Sequence, residues 1–319
     1  MTQTFDEQFS KLFREIEIDL GATSLSILVL ESLYKAVQGL KGQDHHHFFE
    51  QFQELTQNIE STEPKYAIII DSFYHILRLA YVEEVIHPEQ GWPLGKKKFL
   101  EQLESMIKEK KEEKQKIVKQ SEKINFSGKN ILLYHHSGTV EAVLAAAKKK
   151  RKKFNVIVAE QDPDKTGETI AFLHNKKIPF RVVPSHTISH IMDEIDMLFM
   201  GALTLKSSND FVMDTGSNGL VLQFDHAKKP IYVFISTKKF SLWKSEKRSE
   251  VFTHTSQRQL HEKAISFERI KFSHDRVEMD LFTKIITEEG IFTPEQLKKF
   301  YDERLEERIK LEKRIELLR

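Results

Sequence analysis

The sequence predicts an α/β protein in two parts, a helical N-terminal domain over residues 1–125 followed by a parallel-sheet domain over residues 126–319. Three observations carry this. Apolar residues recur at helical spacing down to about residue 123, and after Gly128 short β-rich runs alternate with helical ones. The chain of 319 residues is 39% hydrophobic, enough for the core of one large domain or two ordinary ones.

In the first half, Leu25, Leu28, Val29, Ser32, Leu33, Ala36, Val37 and Leu40 share one helical stripe. Further stripes run through Phe48, Phe52, Leu55 and Ile59, and through Ile69, Phe73, Ile76, Leu77 and Ala80. Pro88 and the Gly91-Trp92-Pro93-Leu94-Gly95 turn interrupt the pattern. A fourth helix begins near Phe99. Its continuation from Lys108 to Lys123 is so charged that only a thin apolar seam, including Met106, Ile107, Ile117 and Val118, has anything to bury. It reads as a long connecting helix.

In the second half, residues 130–134, 154–159, 180–183, 197–200 and 231–235 have the composition of strands. Crossover helices fit between them, as over Thr139 to Lys150, where Val140, Val143, Leu144 and Ala147 share a face. Ligands of an open parallel sheet collect at the carboxyl ends of its strands, so the turns starting at Tyr134, Glu160 and Gly201 are expected to line one crevice. Thr293 can cap a charged C-terminal helix with Pro294 in its first turn.

Composition excludes several functions. With no cysteine, the chain makes no disulfide, thiolate metal site or thiol nucleophile. A net charge of +1 gives no global attraction to nucleic acid. Apolar runs such as Ile68-Ile69-Ile70 fall far short of the roughly 20 residues of a membrane span, so no membrane partner is expected. Met1 to Ser10 is too polar for a signal-peptide core, and a cytoplasmic location is the default expectation.

Several local features have two readings. Ser137-Gly138-Thr139, where a strand meets a helix N-terminus, is either a phosphate cradle or an ordinary cap. His135 and His136, with His186 and His190, suggest a metal site or a replacement general base. A metal needs a third ligand in defined geometry, and adjacent strand-end histidines point apart, so no metal is expected. His45-His46-His47 reads as a solvated turn. The block Lys148-Lys149-Lys150-Arg151-Lys152-Lys153 is a solvated helix end, a nuclear address, or a surface for RNA or acidic protein; no RNA-reading aromatic pattern accompanies it, so direct nucleic-acid binding is not expected.

Three segments taken in order resemble the initiation factor 2B alpha/beta/delta family, which also contains methylthioribose-1-phosphate and ribose-1,5-bisphosphate isomerases. The first is Ile131-Leu132-Leu133-Tyr134-His135-His136-Ser137. The second is Glu160-Gln161-Asp162-Pro163-Asp164-Lys165-Thr166-Gly167, similar to the family's Glu-x-x-Pro-x-x-x-Gly turn and nearest to its alpha-subunit form. The third runs from His190-Ile191-Met192 through Gly201-Ala202 and Thr215-Gly216-Ser217 to Lys239-Phe240. Phe267, the run Ile285 to Gly290 and Pro294 resemble the C-terminal signature.

The resemblance implies a Rossmann-like second domain and a silent site. The isomerases use a cysteine after the first strand and an aspartate after Gly-Ala, a pair suited to moving protons between sugar carbons. Here those positions are His135 and Leu203. Asp162 replaces the isomerases' arginine, and Met213-Asp214 their Asn-Lys pair, which exchanges cations for anions. The implied protein is a non-catalytic, alpha-subunit-like factor without a cofactor. It would assemble as a homodimer or as a hetero-oligomer with homologous subunits, and would bind initiation factor 2. The alternatives are a pentose-phosphate isomerase with His135 as base, or a sensor holding a sugar phosphate or nucleotide monophosphate. The ligand contacts for these would be Ser137, Gly138, Thr139, Gly216, Ser217 and Lys239.

Overall fold

The computed structural model describes residues 5–39, 52, 54–59, 66–81, 92–161, 163–242, 253–260, 265–272 and 274–318. Leu40, the His45 to His47 tract, Phe48, Pro88 and Asp162 lie outside them. The chain forms two compact units, one of Met1–Lys116, Ser236–Trp243 and Phe300–Arg319, the other of Ile117–Ile235 and Lys244–Lys299.

The second unit is the sheet. Seven strands run in the order β12-β11-β7-β4-β1-β2-β3. They are β1 (Asn130–Leu133), β2 (Asn155–Glu160), β3 (Phe180–Pro184), β4 (Met197–Gly201), β7 (Ile231–Phe234), β11 (Lys284–Ile286) and β12 (Ile291–Phe292). All pairs are parallel except β11 with β12. Every residue of β4 is buried, and so are Ile131 to Leu133 of β1, as expected of strands covered on both faces. The five expected strands are all present.

The crossovers are α4 (Gly138–Lys149), α5 (Pro163–Asn175) and α6 (Ser217–His226). Val140, Val143, Leu144 and Ala147 of α4 are buried as their spacing requires. They pack with Ile131, Leu133, Val156, Val158 and Phe199 in one core. There Phe199 meets Phe126, Tyr232 and Phe234 edge-on at 5.5, 5.5 and 5.0 Å. Burying each such ring contributes roughly 1.5–3 kcal/mol. Between β3 and β4 the connection is a 3-10 helix, Ser185–Glu194, on which His186 and His190 are exposed.

The strand order reverses between β1 and β4, because β2 and β3 extend the sheet on one side and β7 and β11 on the other. That reversal places the turns after Leu133 and Gly201 side by side at the carboxyl edge. Two smaller sheets were not anticipated: β5 (Thr204–Leu205), β6 (Asp210–Asp214) and β10 (His274–Glu278) in one, and the hairpin of β8 (Thr253–Leu260) and β9 (Ile265–Phe272) in the other. Phe211 and Met213 of β6 alternate inward, so Met213 is a core residue and not part of a substrate cradle.

The first unit is helical, with α1 (Phe5–Gly39), α2 (Ala67–Tyr81), most of α3 (Trp92–Ser121) and the later turns of α7 (Pro294–Leu318). Gly21 breaks α1 with φ 76°, a value that only glycine adopts cheaply. Beyond it the buried residues are Ala22, Leu25, Ser26, Leu30 and Val37, while Leu28 is 41% exposed and Ser32 and Ala36 face outward. The inward face is therefore turned from the expected stripe toward Ser26 and Leu30. Ile27, Leu28 and Leu30 make this helix apolar on several sides, and the packing partner, not periodicity, selects among them.

Helix α3 starts at Trp92, earlier than Phe99, because proline in a first turn loses no hydrogen bond. Its buried positions Phe99, Leu103, Met106, Lys110, Glu113 and Ile117 alternate spacings of four and three. The last turns of the helix lie in the sheet unit. Ser236 Oγ donates to Glu113 Oε2 at 3.0 Å. Asp71 of α2 accepts from Arg308 Nη2 at 3.1 Å and lies 3.8 Å from Lys238 Nζ, with the Arg308 guanidinium 4.1 Å from the Tyr74 ring centre. Burial pushes the Asp71 carboxyl up, but Lys238, Arg308, Lys110 and His75 together outweigh it and hold the group below its usual range.

Candidate functional site

The carboxyl edge of the sheet is built from three turns. After β1 the chain runs Tyr134, His135, His136 and Ser137 into α4; after β4 it runs Gly201, Ala202 and Leu203; after β6 it runs Asp214, Thr215, Gly216 into α6. Ser137 is the N-cap of α4, its Oγ accepting from Val140 N–H at 3.5 Å and its carbonyl from Glu141 N–H at 2.9 Å. Gly138 and Thr139 form the first turn, half-buried.

Packing at this edge is tight. A β-carbon on Gly201 would fall on Ser137 Oγ, 2.9 Å from its Cβ and 3.4 Å from His135 Cε1. Gly216, at φ 95°, has its bare Cα against the Tyr134 phenol, where a β-carbon would overlap the hydroxyl. The Tyr134 hydroxyl donates to Thr215 carbonyl at 2.8 Å. Burial, then Asp275 and Asp214, push the Tyr134 phenol above its ordinary pKa, so it stays protonated as a donor.

Carboxylates face the histidines. His135 Nδ1 is 4.0 Å from Asp214 Oδ2, with side chains 6% and 19% exposed, and 3.3 Å from the His136 carbonyl. His136 Nδ1 lies 3.3 Å from Glu141 and 3.6 Å from Glu168. Leu203 stands in β6's register, its N–H donating to Val212 carbonyl at 2.9 Å. Asp214 thus gives His135 the acidic neighbour that Leu203 withholds, a pairing that linear spacing concealed.

The N-terminus of α6 is already occupied. Gly216 N–H and Asn218 N–H both donate to Asp275 Oδ2 at 2.9 Å, and Thr215 Oγ1 donates to Phe272 carbonyl at 2.7 Å. Asp275, on β10, supplies from a distant part of the chain the anion that a helix N-terminus attracts. Ser217, next to it, is fully buried, its hydroxyl enclosed within the fold. Of the six expected ligand contacts, Ser137, Gly138, Thr139, Gly216 and Ser217 belong to these turns of the sheet unit. Lys239 belongs to the first unit, in the 3-10 turn Thr237–Lys239 capped by Ser236, where its N–H donates to Ser236 carbonyl at 3.0 Å.

Nothing in the local sequence marked Asp275. A carboxylate after a hairpin is unremarkable by pattern, and its role comes from the antiparallel register that sets it opposite Met213. Among the described residues, no helix is long and apolar enough to cross a membrane.

Comparison with known proteins joins the fold to a family. A model described as the Initiation factor 2 subunit family matches residues 19–294. The translation initiation factor eIF2B subunit alpha of Dictyostelium discoideum is 28% identical over 147 residues, 46% of this chain and 46% of that protein. The delta subunit of Schizosaccharomyces pombe is 29% identical over 150 residues, 46% of this chain and 32% of that protein. The matches thus span less than half the length of either relative. The translation initiation factor eIF-2B of Pyrococcus horikoshii OT3 has a similar structure, with TM-score 0.67, 22% identity, and 90% of this chain and 98% of that one covered. The tetrameric eIF2B-beta2-delta2 complex of C. thermophilum gives 0.70 at 17% identity, covering 93% of each chain. At such identities these two structures speak for the fold.

Proposed function

Since the chain belongs to the Initiation factor 2 subunit family, we propose that it is a non-catalytic, alpha-subunit-like factor of translation initiation that works by binding homologous subunits or initiation factor 2. The observation that carries the reading is the Asp275 carboxylate on the Gly216 and Asn218 N–H groups. A phosphate using that helix end would have to displace Asp275 or sit beside it. Two like charges about 4 Å apart repel by roughly 4 kcal/mol at an effective dielectric of 20, on the order of a thousandfold in affinity. Leu203 adds an apolar side chain where the isomerases carry their aspartate, and Asp214 and Glu141 add negative charge. Hetero-oligomeric assembly is supported by the likeness to a chain of a tetrameric complex.

Purification from native cells followed by native mass measurement tests this. The expected result is co-purification with homologous subunits or initiation factor 2; recovery of a homodimer alone, free of any translation factor, would overturn it.

The half-buried His135 and Asp214 pair favours a second reading, a pentose-phosphate isomerase in which His135 is the base and Asp214 orients it. A panel of sugar phosphates followed by NMR separates the two. Turnover that is lost in His135→Ala would establish the enzyme. Absence of turnover, with no ligand-dependent rise in melting temperature, agrees with the binding subunit and also removes the sensor alternative.

A further inference from the structure

The opposite edge of the sheet, where β1, β2 and β3 begin, holds a cavity of about 500 Å³. Its walls include Lys148, Arg151, Lys152 and Lys153 from the end of α4 and the approach to β2, with Gly128 and Pro179 opening β1 and β3. Four residues of the basic block therefore wall a concavity, while Lys149 and Lys150 lie exposed outside it.

Some of its charge is committed. Lys150 is ion-paired with Glu122, and Lys152 Nζ lies 4.7 Å from the Phe126 ring centre and 3.5 Å from Ile124 carbonyl. Lys148, Arg151 and Lys153 have no carboxylate partner among the described residues, and Arg151 and Lys153 are exposed. A helix C-terminus carries the equivalent of only about half a negative charge, so it cannot account for three unpaired cations.

All three crossover helices end in the left-handed conformation, at Arg151 (φ 59°), Lys177 (φ 55°) and Lys228 (φ 54°). Glycine is the usual residue there, because a β-carbon is strained.

The walls also indicate the ligand class. Phe154, the aromatic residue on the cavity, is buried in the core and offers no face for stacking a base. What remains is a half-enclosed set of cations suited to several phosphates held close together. We propose that this cavity binds a small molecule carrying clustered phosphates, held by Lys148, Arg151 and Lys153. It is separate from the turns at the carboxyl edge and independent of the function proposed for the family fold.

Titration calorimetry of the full chain with tripolyphosphate and with inositol hexakisphosphate tests the proposal and distinguishes a linear from a ring-borne cluster. Binding of either is expected to weaken by about tenfold or more in a Lys148→Ala, Arg151→Ala, Lys153→Ala triple variant. A triple variant of exposed helix lysines, Lys108→Ala, Lys116→Ala, Lys119→Ala, removes the same charge elsewhere and is expected to bind as the native chain does. Arg151→Gly separates function from folding: it relieves the left-handed strain, so it is expected to melt no lower than native while binding more weakly. No heat with either probe, equal weakening in the two triple variants, or tighter binding of a single-stranded RNA oligonucleotide than of both probes would each overturn the proposal.

Discussion

Replacing Asp275 with alanine removes the acceptor of two helix N-terminal hydrogen bonds, each 2.9 Å long. Losing a helix N-cap costs about 1–2 kcal/mol, and a hydrogen bond to a charged group contributes about 1.5–3 kcal/mol when well shielded. Because this carboxylate is partly open to solvent, about 1.5–2 kcal/mol is expected for the pair. At about 2–4 °C per kcal/mol for a domain of this size, the melting temperature should fall by about 3–8 °C. Asp275→Asn keeps an acceptor and loses the charge, so it should fall less. The variant also vacates an anion site. Phosphate at about ten times its dissociation constant would return about 1.4 kcal/mol to Asp275→Ala and nothing comparable to the native chain. Scanning calorimetry with and without phosphate reads both effects. If Asp275→Ala melts with the native protein, or phosphate shifts the two equally, the carboxylate is not what fills this helix end.

Gly201→Ala should destabilise by about 1–3 kcal/mol in urea unfolding, since its β-carbon lands on Ser137. Ser137→Gly in the same chain should restore most of that, less the few tenths of a kcal/mol of a weakened cap. Arg308→Ala should cost about 2–3 kcal/mol, through Asp71 left with less positive charge and the lost stacking on Tyr74. Stability should also decline on acidification. Burial, then Arg78 and Lys238, depress His75 against the opposing pull of Asp71 and Glu109. A depressed histidine contributes stability fully above its unfolded pKa of about 6.5 and loses it as pH falls toward the folded value. Urea midpoints between about pH 8 and pH 5 should drop, and His75→Gln should flatten that drop. Asp71, also depressed, adds a second loss only below its unfolded pKa of about 3.9.

What could be read in the chain beforehand divides by the range of the interactions. Four strands, β1, β2, β4 and β7, were legible because both faces are covered and the runs are mostly apolar, the edge strand β3 was legible from its Val182-Val183 run, and α4 was legible because Val140, Val143, Leu144 and Ala147 keep one period. Thr293 was legible as a cap, and the structure adds its reciprocal partner: Gln296 N–H donates to Thr293 Oγ1 at 3.3 Å and Thr293 N–H to Gln296 Oε1 at 2.9 Å. The face of α1 was legible in part: Leu25 and Val37 are buried and Val29 and Leu33 pack on the core as expected, but the choice between Leu28 and Leu30 belongs to what the helix packs on. Met213 stands where the resemblance puts part of the isomerases' Asn-Lys pair, and the alternation of a short strand turns it inward. The pairings that define the carboxyl edge, His135 with Asp214 and Asp275 with Gly216 and Asn218, join residues far apart in the chain. No local pattern encodes them.

The helical unit also has a history in time. Its first segment ends at Lys116, yet Lys238 and Arg308, the two largest of the charges that compensate Asp71, arrive with Ser236–Trp243 and Phe300–Arg319. A ribosome adding about 5–20 residues per second needs on the order of ten to forty seconds to travel from Lys116 to Phe300. Until Ser236–Trp243 emerges the nascent N-terminal helices carry an apolar face and an aspartate with only Lys110 and His75 of its compensating groups, and Arg308 is missing until the end. Their completion is set by the pace of synthesis, which makes this half of the molecule the one expected to depend on chaperones while it waits.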